Sequence, residues 1–168
     1  MKKYIIILAL MAFTTIASAQ IKIPGTRYSF QFPTDEWKFL QTTNVDKNCS
    51  VYLYSFNGRY VVDNAGDTTL PFMCIYVRKH YDGSVYDIAY QRFQQHPYQS
   101  LDEYTFGDGG IGYLAAYTDR KDNKDYEFRM VYIKDRSTII EVRLETTVDN
   151  FEEFDEMFQS IINSLSVK

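Results

Sequence analysis

Alternating apolar and polar positions predict that most of this chain forms β-strands. Residues 28–32 alternate, and alternate positions within 126–133 and 138–147 share a face. Strands are also predicted at 37–41, 51–56, around Tyr104 and at 111–118. Residues 72–77 are apolar at every position, which indicates a central strand covered on both faces. The many tyrosines and phenylalanines agree with this interpretation, because aromatic side chains favour pleated, half-buried surfaces.

Two segments change to helical spacing. Ser84 and Asp87 have the spacing of a capping box, and Pro97 prevents the helix after them from extending further. A second helix closes the chain, with Asp149 predicted as its cap and Glu152 as the capping-box partner. Its apolar stripe consists of Phe151, Phe154, Phe158, Ile161, Ile162 and Leu165.

The dipeptide Asn57-Gly58 predicts a two-residue hairpin turn, with residues 59–62 returning beside the strand at 51–56. One face of this hairpin is mostly aliphatic and is expected to look into the core. The other face is expected to point outward and carries Tyr52, Tyr54, Phe56 and Arg59. Aromatic and arginine side chains often dominate interface energies, so this face is a predicted partner-binding surface. The alternative is that a helix covers it.

The last two long strands each carry an apolar set at alternate positions. The first set is Tyr126, Phe128, Met130 and Tyr132, and the second is Ile140, Val142 and Leu144. If both sets share one face, Met130 pairs with Val142. That register predicts a three-residue loop at 135–137 rather than a two-residue turn.

The stretch FGDGGIG, residues 106–112, matches the G-x-G-x-x-G spacing of a dinucleotide-binding turn. That turn must open a helix, so that helix amides meet the pyrophosphate. Here a strand-like segment follows at 113–118. The glycines are therefore predicted to form a tight turn with positive φ, and no nucleotide is expected to bind.

The first residues have the order of a secretory signal peptide. Lys2 and Lys3 precede an apolar run of about ten residues, too short to span a bilayer, and Ala17-Ser18-Ala19 resembles a cleavage site. We expect cleavage after Ala19, a periplasmic or secreted location, no membrane anchor after cleavage, and one domain at 20–168. Loss of both lysines takes the net charge from −4 to −6, which disfavours nucleic acid as a partner.

Few residues indicate catalytic or metal chemistry. Cys49 and Cys74 are either bridged, which an exported protein permits, or two buried thiols, and the sequence leaves both open. His80 and His96 are the two histidines, and no nucleophile elbow accompanies them. The acidic stretch at 119–125 lacks the spacing of a calcium loop. We therefore expect no enzyme activity, no cofactor and no metal site.

The order of elements, and the two ends of the domain, resemble the PsbP-like family, which includes the Ran-binding Mog proteins and a photosystem subunit. Tyr-Ser-Phe-Gln-Phe-Pro at 28–33, followed by Trp37, is similar to the family's opening strand. Residues 154–165 resemble its closing helix. The resemblance implies an α+β fold, a mostly antiparallel sheet flanked by helices on both faces in an α/β/α sandwich.

The same resemblance implies binding to a protein partner rather than catalysis, as an adaptor, assembly factor or immunity-like protein. The alternative is a small-molecule or carbohydrate-binding domain that uses its tyrosines. A deep tyrosine-lined pocket with converging polar groups would favour the alternative. An open sheet edge or a flat aromatic patch would favour a protein partner.

Overall fold

The structure is a computed structural model, and it describes residues 19–56, 61–62, 66, 68–69, 71–95, 100–106 and 109–167. Its strands are β1 (Ile21–Lys22), β2 (Tyr28–Phe30), β3 (Trp37–Asp46), β4 (Cys49–Phe56), β5 (Val61–Val62), β6 (Thr68–Thr69), β7 (Phe72–Arg78), β8 (Ser100–Thr105), β9 (Ile111–Lys121), β10 (Lys124–Asp135), β11 (Thr138–Thr147) and β12 (Ser166–Val167). Its helices are α1 (Val85–Gln95) and α2 (Phe151–Ser164), and a 3₁₀ turn at Val148–Asn150 precedes α2.

Seven antiparallel strands form the main sheet in the order β3-β4-β7-β11-β10-β9-β8. The strand β7 lies between β4 and β11, and Met73, Ile75 and Val77 on it are buried, so the predicted interior strand is confirmed. A smaller sheet joins the two ends of the described chain in the order β1-β2-β12, and β5 pairs with β6.

Helices cover both faces of the main sheet. On one face Phe154, Phe158 and Ile161 of α2 pack into a core with the inward side chains of β7, β10 and β11. On the other face Ile88 and Ala89 of α1 pack with aromatic and apolar side chains of β9 and β10. The predicted fold class, an α+β sandwich with helices on both faces, is confirmed. In the described part of the chain, neither helix has the length and apolar character that a membrane crossing requires.

The predicted register between β10 and β11 is wrong. Met130 pairs with Arg143, Val131 pairs with Val142, and a two-residue turn at 136–137 joins the strands, with Arg136 at φ 57°. The prediction assumed that the two apolar sets share one face. Because both faces of the sheet are covered, each set lies in a different core.

The predicted hairpin return after β4 is also wrong. The turn residues Asn57 and Gly58 lie outside the described residues, but Val61–Val62 pairs with Thr68–Thr69 and not with β4. The strands beside β4 are β3 on one side and β7 on the other. The physical reason is the length of the ladder. Seven residues of β7 pair with β4, and the inward side chains of β7 enter the core. The two residues of β5 could form only a much shorter ladder.

The two predicted helix caps have opposite outcomes. At α1 the capping box is confirmed, because the Asp87 amide donates to Ser84 Oγ at 3.0 Å and the Ser84 amide donates to Asp87 Oδ2 at 3.3 Å. At α2 the prediction is wrong, because Asp149 lies within the 3₁₀ turn and the N-cap is Asn150. The Asn150 amide Nδ2 donates to Thr147 Oγ1 at 2.8 Å instead.

Gly107 and Asp108 lie outside the described residues, but the residues on either side of them close a turn that leads into a strand, as predicted. The Gly109 amide donates to the Phe106 carbonyl at 2.9 Å, and Gly109 has φ 82°. The strand β9 follows at Ile111, so the chain continues from this turn as a strand and not as the helix that a dinucleotide-binding turn opens. Gly112 is needed for a different reason: a Cβ there would lie 2.4 Å from the Tyr132 carbonyl oxygen on β10.

Candidate functional site: a tyrosine-lined cleft beneath helix α1

The predicted partner-binding face is largely buried. Tyr54 is 7% exposed and Phe56 is 3% exposed, and the Phe56 ring meets Phe154 of α2 edge-on with centroids 5.1 Å apart. Their predicted outward orientation is wrong, because α2 and β2 cover this face. Tyr52 is half-buried and packs against the same core, and Arg59 lies outside the described residues.

The two cysteines are free and buried. Cys49 pairs with Arg78 across the β4–β7 ladder, and Cys74 pairs with Leu53. The two cysteines therefore lie four positions apart along the ladder, roughly 13 Å at the rise of a β-strand. A disulfide requires Cα atoms within about 7 Å. The disulfide interpretation is therefore wrong, and the interpretation as two buried thiols holds.

A cleft of about 170 Å³ opens where the C-terminal end of α1 meets the sheet. The helix packs on β8, β9 and β10, and the cleft extends from it toward β7 and β11. Most of its lining is aromatic or charged. The lining residues are Tyr76, Arg92, Gln95, Tyr117, Met130, Tyr132, Glu141 and Arg143.

The sequence of β11 explains why charged groups line a covered face. Ile140, Val142 and Leu144 enter the α2 core, so the alternate positions Glu141 and Arg143 must point to the α1 face. The sequence-based prediction used only the apolar set of this strand. The overlooked signal is charge at alternate positions of a strand that has neighbours on both sides.

Glu141 is the unusual member of this lining. It is 3% exposed, and its Oε2 lies 3.6 Å from Nε of Arg92 on α1. Its other oxygen, Oε1, is buried and accepts no hydrogen bond from the described residues. Burial raises the pKa of the Glu141 carboxyl, although Arg92 and Arg78 act in the opposite direction. The fold thus holds a carboxyl group whose hydrogen-bonding capacity is unmet.

Arg143 lies beside Glu141 with its guanidinium partly exposed. Its Nε is 3.0 Å from Glu145 Oε2, but the N–H is not directed along a hydrogen bond. One terminal nitrogen donates to Cys74 Sγ at 3.5 Å, and the guanidinium carbon lies 5.8 Å from the centre of the Tyr76 ring. Thiol sulfur is a weak acceptor, so Arg143 keeps donor capacity for a stronger one.

Neutral phenol rings form the walls of the cleft. Burial raises the pKa of Tyr117 to about 12, and burial also raises the pKa of Tyr132 and of Tyr76. These tyrosines therefore stay protonated at neutral pH. Burial likewise raises the pKa of the Cys74 thiol beneath Arg143, so it also stays protonated. The cleft combines apolar walls with one carboxyl and two guanidinium groups.

Metal ligation is not indicated in the described part of the chain, where no three histidine, cysteine, aspartate or glutamate side chains gather to hold an ion. His80 follows β7 and does not line the cleft. His96 lies outside the described residues. The arrangement is suited to recognising a polar molecule by charge and hydrogen bonding.

No family model and no curated protein matches this chain. Solved structures do match it over most of its length. Cyanobacterial PsbP (CyanoP) from Synechocystis sp. PCC 6803 matches with a TM-score of 0.61 at 15% identity, over 96% of this chain and 99% of that one. LpqN, described as involved in cell envelope biogenesis of Mycobacterium tuberculosis, matches with a TM-score of 0.54 at 11% identity, over 86% of each chain.

A third match is PA94, a protein of unknown function from Pseudomonas aeruginosa, with a TM-score of 0.54 at 13% identity, over 79% of this chain and 98% of that one. At these identities the likeness concerns the fold. It agrees with the resemblance carried by the opening strand and the closing helix. This chain therefore has the PsbP-like fold.

Proposed function

We propose that this protein is a non-enzymatic binding domain that holds a small polar molecule in the cleft beneath α1. The observation that carries the proposal is Glu141, which is 3% exposed and has an oxygen without a donor among the described residues. A buried polar group without a partner is unfavourable, because it has lost its hydrogen bonds to water. A ligand that donates to this oxygen would give the residue its role.

The chemistry of the lining favours binding over catalysis. Among the described residues that line the cleft there is no serine, cysteine or histidine to act as a nucleophile with its base. The nearby Cys74 is buried, and burial raises the pKa of its thiol, which disfavours the reactive thiolate. Three tyrosines with converging charged groups are the pattern expected of a small-ligand pocket.

We also propose that the protein is exported. The support is the leader pattern of Lys2, Lys3 and Ala17-Ser18-Ala19, together with the fold it shares with LpqN, whose description places it in cell envelope biogenesis. The intact mass of the protein recovered from cells tests this. A mature chain that begins at Gln20 supports export, and a chain that retains Met1 to Ala19 argues against it.

A protein partner is the second candidate function, and an open sheet edge favours it. The strand β3 is an edge of the main sheet, and every residue on it after Trp37 is exposed. Phe39 is 55% exposed and Val45 is 62% exposed. However, register shifts at Leu40 and Val45 interrupt the ladder with β4, and such bulges commonly block edge pairing. The cleft is therefore the better-supported site.

A thermal-shift screen tests the proposed function. Purified protein is heated with a panel of small polar metabolites, and each hit is measured again with the variants Glu141→Gln and Tyr86→Ala. Tyr86 is 46% exposed on α1 and does not line the cleft, so its variant is the matched control. We expect the ligand to stabilise the wild type and Tyr86→Ala but not Glu141→Gln. Equal stabilisation of all three proteins would contradict binding in this cleft.

A further inference from the structure

We infer that the ligand of this cleft carries a carboxylate beside a hydrogen-bond donor, as a small α-hydroxy acid or α-amino acid does. The inference rests on the proposed function, because it assigns the chemical class of the molecule held in the same cleft. It follows from three properties of the lining: its charge, the unmet acceptor on Glu141, and its size and wall chemistry.

The charge of the lining favours an anion. Arg92 and Arg143 bring two guanidinium groups to the lining, and Glu141 is the one carboxyl in it. Glu145 lies behind Arg143 at 3.0 Å and offsets part of its charge, but the Arg143 Nε makes no hydrogen bond to a described residue, so the guanidinium keeps donors for an anion. Arg92 is 45% exposed and Arg143 is 29% exposed, so both guanidinium groups are within reach of a bound molecule. A guanidinium binds a carboxylate through two parallel hydrogen bonds, a geometry that a neutral ligand such as a sugar does not offer.

Glu141 defines the second requirement. Its unpartnered Oε1 accepts hydrogen bonds and therefore needs a donor, either a hydroxyl or an ammonium group. Glu141 lines the cleft with this oxygen buried, and the terminal torsion of a glutamate is soft enough to turn it toward a ligand. A molecule with a carboxylate alone would leave Oε1 unmet and would bring a second negative charge near it.

The two requirements must be met close together. Glu141 and Arg143 are two positions apart on β11, so their side chains leave the same face roughly 7 Å apart at the backbone. Two side chains that leave the same face at this spacing can contact neighbouring groups of one small ligand. The hydroxyl or ammonium group and the carboxylate of an α-substituted acid are such neighbours.

Size and wall chemistry limit the rest of the molecule. The cleft measures about 170 Å³, and an apolar cavity of about 150 Å³ accommodates benzene. The ligand therefore has on the order of six to ten non-hydrogen atoms. Tyr76, Tyr117 and Tyr132 offer ring surfaces, so a short apolar substituent on the acid completes the fit.

A matched set of compounds tests the inference by isothermal titration. The compounds are 2-hydroxyisovalerate and valine, which carry both groups, isovalerate, which lacks the donor, 2-hydroxyisovaleramide, which lacks the carboxylate, and glucose as a neutral polyol. We expect at least one of the first two to bind tenfold or more tightly than isovalerate and the amide. Isovalerate or the amide binding as tightly as both complete compounds would overturn the inference.

Variants assign each half of the ligand to its residue. We expect Arg143→Gln to remove the preference for carboxylate over amide, and Glu141→Gln to remove the preference for the hydroxy acid over isovalerate. If Arg143→Gln fails to fold, Arg92→Gln at the cleft rim replaces it, and a weakening of at least threefold for carboxylates is expected. Unchanged preferences in folded variants would contradict the assignment.

The remaining outcomes separate this inference from the proposed function. If glucose binds, and binding is lost in Glu141→Gln but kept in Tyr86→Ala, the ligand class is wrong and the proposed function stands. If none of the five compounds binds at millimolar concentration, the assigned class is wrong, and the metabolite screen then decides the proposed function separately.

Discussion

Arg92 on α1 reaches Glu141 on the central strand β11, with Nε and Oε2 3.6 Å apart. This contact joins the helix to the sheet at the cleft. It places a positive charge beside one oxygen of the carboxyl, and the other oxygen has no donor among the described residues. Since Arg92 is 45% exposed and Glu141 is 4% exposed at the side chain, solvent screens one partner while the other has lost its hydration. The contact itself therefore adds little net stability.

Replacing Glu141 by Gln should stabilise the protein at neutral pH. The charged groups that influence the carboxyl are Arg92, Arg78 and Arg143, and Tyr132 also lies near it. Because burial raises the folded-state pKa of Glu141 above its ordinary 4.5, the folded state binds more protons than the unfolded state just above that pH. Stability from this group is therefore present below pH 4.5 and is lost as pH rises through the folded pKa.

Urea unfolding at pH 7 and at about pH 3.5 measures this effect. We expect Glu141→Gln to be more stable than the wild type at pH 7, because burial raises the pKa of the carboxyl that it replaces, and to gain little at the lower pH. The exposed Glu156→Gln is the matched control and should change little at either pH. At each pH the measured quantity is the stability of Glu141→Gln minus that of the wild type. A smaller difference at pH 7 than at pH 3.5 would contradict the account.

Two glycine substitutions separate close packing from backbone strain. Gly112→Ala should lower the free energy of unfolding by about 2 kcal/mol or more, because its Cβ would lie 2.4 Å from the Tyr132 carbonyl oxygen. Gly109→Ala should cost about 1 kcal/mol, because Gly109 has φ 82° but open space around it. Chemical denaturation of both variants checks the order, and a larger loss in Gly109→Ala would contradict it.

Tyr54→Ala should destabilise the protein strongly. Tyr54 is 7% exposed and meets the rings of Phe30, Phe32 and Phe39 edge-on, so its removal should cost about 3 kcal/mol or more. Tyr86→Ala, which removes a ring that is 46% exposed, should cost about 1 kcal/mol or less. Similar melting temperatures for the wild type and Tyr54→Ala would place Tyr54 back on an outward surface.

The two thiols should be free and protected in the folded state. Without reductant, alkylation of the denatured protein should add two groups, one each at Cys49 and Cys74. In the native state both residues are buried, so labelling should be at least about tenfold slower. Alkylation that requires prior reduction would show a disulfide and would contradict the β4–β7 register.

The sequence predicts most elements of this fold, because periodicity reports the faces of each element. The apolar run at 72–77, the capping box of Ser84 and Asp87, and the turn before Gly112 were all assigned correctly. The pairing of strands was harder. The β10–β11 register depends on whether one or both faces of the sheet are covered, and that property belongs to the tertiary structure.

The candidate site was the hardest part to predict. Tyr54 and Phe56 were expected to point outward because the opposite face of the strand is more aliphatic, but α2 and β2 bury the aromatic face, and their position cannot be read from the sequence of this strand. The cleft residues come from α1, β7, β9, β10 and β11. In the sequence, the signal for this cleft is the pair of charged residues Glu141 and Arg143 at alternate positions of β11. Charged side chains are rarely placed on the buried face of a central strand.

The central claim is that Glu141 is held without its full set of partners until a ligand donates to it. Carbon NMR of the side-chain carboxyl through a pH titration measures this most directly, with Glu141→Gln identifying the signal. The account predicts that Glu141 titrates above 4.5 in the free protein, and that saturating 2-hydroxyisovalerate gives it a lower pKa than saturating isovalerate does, because both acids bring the same charge and only the first donates to the carboxylate. A Glu141 pKa at or below 4.5 that the acid leaves unchanged would contradict the account.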